Sequence, residues 1–120
     1  MVSQSSLNLN SFLSEAIENQ RVWTIRDENG FPAPQNSEGN RAMPFWTTLS
    51  RVQKIINSVD GYQNFEHFEI TLQDFMQKWL PGLEKDDLLV GINWSGKRVT
   101  GYDLKGSELL DLFHRQSSQS

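Results

Sequence analysis

The 120-residue sequence contains no cysteine. Disulfide bonds, thiolate metal sites, cysteine nucleophiles and thiol redox chemistry are therefore excluded. Long apolar runs are also missing, since no stretch approaches the roughly 20 residues that a membrane-spanning helix needs. The first ten residues, MVSQSSLNLN, have neither the basic nor the apolar region of a secretory signal. We therefore expect a cytoplasmic protein with no membrane partner.

Basic residues are few and scattered. Eleven Lys and Arg stand against 15 Asp and Glu, which gives a net charge of −4. Residues 1–60 contain 5 basic and 6 acidic side chains, and residues 61–120 contain 6 basic and 9 acidic ones. The densest basic spot is the pair Lys97-Arg98. Because nucleic acids and anionic membranes are bound through larger clusters of Lys and Arg, we predict no nucleic-acid partner.

Motifs for catalysis and cofactor binding are equally scarce. The sequence has no G-x-S-x-G nucleophile elbow, no complete phosphate-binding G-x-x-x-x-G-K-[ST] motif and no dinucleotide-binding G-x-G-x-x-G motif. Its two histidines, His67 and His114, are too few for a catalytic zinc site, which needs about three protein ligands. We therefore predict no metal site and no cofactor.

Adjacent carboxylates occur at Asp27-Glu28 and at Asp86-Asp87. A glycosidase-type acid and base must face each other across several Å, whereas neighbours in sequence are typical of turns and caps. We therefore assign no catalytic residue. A small enzyme that uses Asp27 or Glu28, together with His67 or Asn93, at the mouth of the sheet stays open as an alternative.

Apolar spacing predicts a single α+β domain over residues 9–114, with elements in the order α-β-β-α-β-α-β-β-α. We expect one twisted mixed sheet of about five strands with helices packed on it. Polar tails at residues 1–8 and 115–120 are expected to be flexible. The predicted helices cover residues 9–17, 49–59, 72–79 and 107–113, and the predicted strands cover residues 22–27, 42–46, 64–70, 88–94 and 97–104.

Several local boundaries and pairings follow from the same pattern. Asn8 or Asn10 is expected to cap the first helix, Pro81-Gly82 to end the third and Ser107 to cap the last. The first two strands are expected to pair as a long hairpin. The fourth strand is apolar on both faces and is therefore expected to be central. Alternation places four of its side chains on one face: Leu88, Val90, Ile92 and Trp94.

Residues 28–41 form a long polar segment that contains Pro32 and Pro34. Loops of this length are uncommon in small domains and often carry function. We predict that this loop lies beside an aromatic surface, because four tryptophans and seven phenylalanines stand out in the composition. Most of these rings are expected in the core. The candidate binding residues at the surface are Trp23, Phe31, Trp46, Asn93 and Trp94.

Four sequence runs, taken in order, resemble a known family. They are VWTIRDENGF, MPFWTT at residues 43–48, WLPGL at residues 79–83 and VGINW at residues 90–94. This order resembles the small bacterial proteins grouped as domain of unknown function 2750, over about residues 10–114. The resemblance implies a compact α+β fold and brings no established activity or functional residue. A weaker likeness extends to the N-terminal module of proteins that enhance serine sensitivity.

The sequence therefore favours a non-catalytic cytoplasmic protein-binding or adaptor domain that uses the 28–41 loop and the edge formed by Trp23 and Trp46. One alternative is an immunity-type protein that blocks a basic toxin through its acidic C-terminal half. The small enzyme described above is another. A third is a domain that dimerises through the edge strand containing Pro44, although proline blunts such edges.

Overall fold

The computed structural model describes residues 4–36, 38–96 and 100–118. Between the third and fourth strands, three helical segments follow one another without a break and form one helical run. With this run counted as one helix, the predicted α+β class and the order α-β-β-α-β-α-β-β-α are confirmed. The elements are α1 (Gln4–Asn19), β1 (Arg21–Arg26), β2 (Ala42–Phe45), α2 (Leu49–Ser58), β3 (Glu66–Thr71), α3 (Leu72–Asp74), a π-helical segment (Phe75–Trp79), α4 (Leu80–Lys85), β4 (Leu89–Ser95), β5 (Thr100–Leu104) and α5 (Gly106–Ser118).

The strands form two small sheets, so the prediction of one sheet of about five strands is wrong. β1 pairs with β3 in an antiparallel sheet of two strands. β4 is the middle strand of the other sheet, parallel to β2 and antiparallel to β5. The prediction that the fourth strand is central is thereby confirmed.

Proline explains why β1 and β2 do not pair as a long hairpin. Trp23 and Trp46 exchange both backbone hydrogen bonds, at 2.7 and 2.8 Å, and form an isolated bridge between the two sheets. In this antiparallel register the next hydrogen-bonded pair would be Ile25 and Pro44. Pro44 has no N–H to donate, and its carbonyl accepts the Thr24 hydroxyl at 2.8 Å instead. The predicted hairpin is therefore limited to one bridge.

Two apolar cores fill the fold. The large core lies among α1, the 72–85 helical run, α5 and the strands; its buried residues are Phe12, Leu13, Ala16, Val22, Ala33, Met43, Phe45, Ile70, Leu72, Phe75, Leu80, Leu83, Val90, Ile92, Leu104, Leu109 and Phe113. The small core lies beneath α2; its buried residues are Trp23, Ile25, Ala42, Trp46, Val52, Ile55, Val59 and Trp94. The three candidate binding tryptophans, Trp23, Trp46 and Trp94, thus all take part in packing around α2.

A bulge near the end of β4 moves Trp94 to the small core. The pairing of β4 with β5 changes register between Ile92 and Ser95, and Asn93 has a φ of +45°. Val90 and Ile92 lie in the large core, whereas Trp94 lies in the small core. The prediction that Trp94 shares a face with Val90 and Ile92 is therefore wrong.

The third helical run continues through Pro81-Gly82, so the prediction that it ends there is wrong. Within the π-helical segment the Leu80 N–H bonds back to the Phe75 carbonyl. Pro81 then falls in the first turn of α4, directly after this π-helical segment. The run ends at Lys85, and Asp87, which follows the capping residue Asp86, has a left-handed φ of +60°.

Two predicted helix caps are also wrong. α1 begins at Gln4, ahead of both Asn8 and Asn10. α5 begins at Gly106, so Ser107 lies inside the helix, where its hydroxyl bonds to Glu84 at 2.9 Å. Residues 97–99 of the predicted fifth strand lie outside the described residues. Among the residues that are described, no helix has both the length and the apolar character needed to span a bilayer.

Candidate functional site

A cavity of about 380 Å³ lies between α2 and the C-terminal end of β4. We call it the α2–β4 cavity. Its apolar walls are Trp46, Ile55, Val59 and Trp94. The polar part of its lining consists of Arg51, Lys54, Ser58, Asn93, Ser95 and Gly96.

Helix α2 supplies one wall through its helical spacing. Arg51, Ile55 and Val59 follow one another at intervals of four residues and so lie on one side of the helix. The Thr48 hydroxyl fixes the start of the helix by accepting the Arg51 N–H at 3.2 Å. The cavity therefore has a basic side near the start of α2 and an apolar side near its end.

The two tryptophans of the cavity are held by hydrogen bonds from their ring nitrogens. Trp46 Nε1–H donates to the backbone carbonyl of Trp94 at 2.8 Å. Trp94 Nε1–H donates to Asp103 Oδ1 at 2.8 Å. Each indole thus satisfies its polar atom, and the rest of the ring is left as an apolar wall.

Trp94 needs two glycines beside it. A Cβ on Gly91 would lie 2.5 Å from the Trp94 ring, and a Cβ on Gly101 would lie 2.8 Å from it. Carbon atoms do not approach so closely without a shift of one of the groups. The position of the Trp94 indole therefore depends on the absence of side chains at both positions.

A polar network supports the basic side of the cavity. Asn93 Oδ1 accepts the Thr47 backbone N–H at 3.0 Å, and Asn93 Nδ2 donates to the Thr47 hydroxyl at 3.0 Å. The Thr47 hydroxyl donates to Glu15 Oε1 at 2.6 Å. This network joins α1 to the bulge in β4 and satisfies the buried side chains of Thr47 and Asn93.

Glu15 also fixes Arg51. Arg51 Nε donates to Glu15 Oε1 at 2.9 Å, and Arg51 Nη2 donates to Glu15 Oε2 at 2.8 Å. These hydrogen bonds hold the pKa of the Glu15 carboxyl below its ordinary value, against the opposing effect of partial burial. The same bonds raise the pKa of the Arg51 guanidinium. Arg51 therefore reaches the cavity with its charge already matched by a carboxylate.

Lys54 differs from Arg51 in this respect. Its side chain lines the cavity and is exposed to solvent. Within residues 4–36, 38–96 and 100–118, the ion pairs join Arg21 to Glu69, Arg26 to Glu66, Arg51 to Glu15 and Lys78 to Asp74, and none includes Lys54. The cavity therefore has one positive charge without a matching carboxylate in the described part of the chain.

Of the five predicted binding residues, the structure brings three together at the cavity: Trp46, Asn93 and Trp94. Trp23 lies in the small core and lines a separate shallow depression near the start of α2. Phe31 packs edge-on against Trp79, with ring centroids 5.2 Å apart, at the border of the large core. The sequence did not single out the α2 side chains that complete the cavity.

The described part of the 28–41 loop does not line the cavity but is linked to it through one carboxylate. Asn36 Nδ2 donates to Asp103 Oδ2 at 3.0 Å, while the other oxygen of Asp103 accepts the Trp94 indole N–H. Asn36 Oδ1 also accepts the backbone N–H of Asn40 at 3.0 Å. The described part of the loop is thus folded back on itself and tied to β5.

Of the residues weighed for an enzyme, Asp27 and Asn93 are engaged in separate hydrogen bonds and His67 is exposed. Asp27 Oδ1 accepts the Asn29 backbone N–H at 2.9 Å, as expected for a turn. His67 is exposed on β3 opposite Ile25, whereas Asn93 is bonded to Thr47 in the other sheet. In the part of the chain that the structure describes, no three or more His, Asp or Glu side chains are grouped so as to hold a metal ion.

The spacing G-x-x-x-x-G-K does occur over residues 91–97, with Arg98 where the phosphate-binding motif requires Ser or Thr. That motif needs a loop between a strand and a helix. Here Gly91 lies inside β4, and the next described element after Gly96 is strand β5. The fold around this run is therefore not that of a phosphate-binding loop.

Comparisons with known proteins place the chain in a family. A family model described as a protein of unknown function, DUF2750, matches residues 9–112. Among solved structures, Anabaena Tic22 (protein transport) is similar at 15% sequence identity and a TM-score of 0.40, over 75% of this chain and 45% of that one. This chain thus spans less than half the length of that structure. No curated protein matches the chain significantly.

Proposed function

Starting from the membership of this chain in the DUF2750 family of unknown function, we propose that it is a non-catalytic protein-binding domain. Its α2–β4 cavity receives an apolar side chain of a partner protein. The observation that carries this proposal is the cavity of about 380 Å³ with two fixed indoles in its walls. Ligand sites in proteins typically enclose about 300–1,000 Å³ and are lined mostly by apolar groups.

The fixed walls favour binding. Trp46 and Trp94 are oriented by hydrogen bonds to other groups of the protein, and Ile55 is packed in the small core. A site that is already ordered loses little side-chain entropy when a ligand enters. The free energy gained from the apolar contact is therefore not offset by a loss of side-chain entropy in the walls.

The polar groups around the cavity favour binding over catalysis. Nucleophilic catalysis needs a nucleophile, a base within hydrogen-bond reach and access for the substrate. The Thr47 hydroxyl is fully buried and engaged with Glu15, and Glu15 is engaged with Arg51. These contacts support a structural role for all three side chains.

The proposal is tested by the indole N–H signals in ¹⁵N-labelled protein, which contains four tryptophans. The probe is N-acetylphenylalaninamide, a neutral compound with one apolar side chain. We expect the signals of Trp46 and Trp94 to shift as the probe is added, whereas the signal of Trp79, which packs against the large core and does not line the cavity, stays in place. Unchanged signals at Trp46 and Trp94 up to the solubility limit of the probe would contradict the proposal.

A matched pair of variants locates the response. Ser58 and Asn57 are neighbouring exposed residues of α2, but only Ser58 lines the cavity. Ser58→Phe fills the cavity and is expected to abolish the shifts, whereas Asn57→Phe adds the same ring elsewhere and is expected to leave them. Circular dichroism serves to check that both variants keep the fold. Equal responses of the two variants would place the probe outside the cavity.

A further inference from the structure

We infer that the occupant of the α2–β4 cavity is the C-terminal apolar residue of a partner polypeptide, with its α-carboxylate at the Lys54 ammonium group. This inference rests on the proposed function and adds the chemical class of the ligand. It is carried by the charges of the lining residues and by the place of Lys54 beside the apolar wall.

The first step is the charge of the cavity. Among the residues that the structure describes, its lining contains two cationic side chains, Arg51 and Lys54, and no carboxylate. Arg51 is neutralised by two hydrogen bonds to Glu15. Lys54 is left as the cation that can attract a ligand, although the protein as a whole carries a net charge of −4. A single anionic group is the complementary partner.

The second step is the short distance along the helix between charge and apolar surface. Lys54 directly precedes Ile55 and lies one turn before Ser58, both of which line the cavity. The anion must therefore be attached close to the apolar group that enters. The α-carboxylate of a terminal residue meets this requirement, because only the Cα atom separates it from the side chain.

The third step is the polarity of α2. The carbonyl groups at the C-terminal end of a helix carry partial negative charge, which repels an anion. Ser58 is the last residue of α2, and Val59 follows it, whereas Lys54 lies further toward the start of the helix. A carboxylate is therefore favoured at Lys54 and disfavoured at Val59, so the ligand has one preferred orientation.

The fourth step is access for the rest of the polypeptide. The rim residues Lys54, Ser58, Ser95 and Gly96 are exposed. The chain that precedes the terminal residue can leave through this rim, and the hydroxyls of Ser58 and Ser95 offer hydrogen bonds to its backbone.

The test compares two tetrapeptides, acetyl-Gly-Ser-Gly-Phe with a free carboxylate and the same peptide ending in an amide. Binding to the full chain is followed by the indole N–H signals at low ionic strength. We expect the free acid to bind about tenfold more tightly than the amide, as is typical of one hydrogen bond to a charged group. Equal affinities would overturn the inference and leave the proposed function intact. Absence of binding by either peptide would overturn both.

A matched pair of charge variants locates the effect. Lys54→Gln is expected to reduce the affinity for the free acid to that for the amide, without changing the affinity for the amide. Lys85→Gln removes the same charge from an exposed residue that does not line the cavity. It is expected to leave the tenfold preference in place. A preference that survives in Lys54→Gln would overturn the inference.

Two further probes distinguish other sources of a carboxylate. Acetyl-Gly-Phe-Glu-Gly-Ser amide carries its acid on an internal side chain, and N-acetylphenylalanine is a small acid without a peptide chain. Both are expected to bind at least threefold more weakly than the tetrapeptide acid. Tighter or equal binding of either one would overturn the assignment to a polypeptide terminus.

Discussion

The indole N–H of Trp46 donates a hydrogen bond of 2.8 Å to the backbone carbonyl of Trp94. The bond joins the end of β2 to the end of β4 beneath α2, and both residues are buried. It fixes the two aromatic walls of the α2–β4 cavity relative to each other. The geometry of the cavity therefore depends on a contact between two residues 48 positions apart in sequence.

We expect Trp46→Phe to destabilise the protein more than Trp23→Phe. Both changes remove part of a buried indole, but only the first leaves the Trp94 carbonyl without the donor seen in the structure. An unsatisfied buried acceptor costs about 1–3 kcal/mol, which is the expected difference between the two variants. Urea unfolding measures the free energies. Equal losses in the two variants would show that the hydrogen bond contributes nothing.

Gly91→Ala is expected to destabilise the protein by about 1–3 kcal/mol, because overpacking in a filled core has this cost. The new methyl group would lie 2.5 Å from the Trp94 ring. Gly82→Ala is the control, since no atom lies within 4 Å of its added carbon and Gly82 lies inside α4. Alanine there is expected to stabilise the helix by roughly 0.5–1 kcal/mol. A Gly91→Ala variant as stable as wild type would contradict the account of Trp94.

The pair formed by Glu15 and Arg51 predicts a pH-dependent contribution to stability. The pKa of Glu15 in the folded protein lies below its ordinary value of 4.5, so the folded state favours the charged carboxylate. This contribution is present above that ordinary value and is lost as the pH falls through the lower pKa of the folded state. We expect Glu15→Gln to be less stable than wild type by about 1 kcal/mol at pH 7, and the difference to disappear in acid.

Urea unfolding between pH 7 and pH 3 checks this expectation, with Glu66→Gln as the control. Glu66 pairs with Arg26 on the surface, where 68% of its side chain is exposed. Solvent screening makes such pairs nearly neutral for stability. If the difference between wild type and Glu15→Gln stays constant over this pH range, the proposed ionic contact is wrong.

Asp103→Asn is expected to loosen the 28–41 loop and to move the Trp94 indole. The two carboxylate oxygens accept hydrogen bonds from Trp94 and Asn36 separately. In the amide, an NH2 group replaces one of these oxygens, so either Trp94 or Asn36 would face a donor instead of an acceptor. Amide hydrogen exchange is expected to rise in the loop, and the Trp94 indole signal to shift. Exchange rates equal to those of wild type would show that the loop is held without Asp103.

Much of the fold follows from the sequence because local spacing sets the helices and strands. The pairing of strands was harder to predict, since it depends on individual backbone atoms. Pro44 lacks the N–H that the second hydrogen-bonded pair of the hairpin needs, and Asn93 forms a bulge that moves Trp94 to the other core. Neither effect is visible as hydrophobic periodicity.

The candidate site was only partly predictable from the sequence, because residue type identifies some of its side chains but not the cavity that they line. Trp46, Asn93 and Trp94 stood out by residue type and reach the cavity. Ile55 and Val59 showed only the apolar spacing of a core-facing helix, and Lys54 is one of several exposed lysines. Whether such a helix face leaves a cavity depends on how the end of β4 bends, which the sequence pattern does not determine.

The central claim is that an apolar side chain enters between α2 and Trp94. An isotope-filtered nuclear Overhauser spectrum of labelled protein with unlabelled N-acetylphenylalaninamide tests it most directly. We predict contacts between the phenyl protons of the probe and the methyl groups of Ile55 and Val59. Contacts instead with Met43, Leu83 and Leu88, which line a separate cleft of about 310 Å³, would contradict the claim.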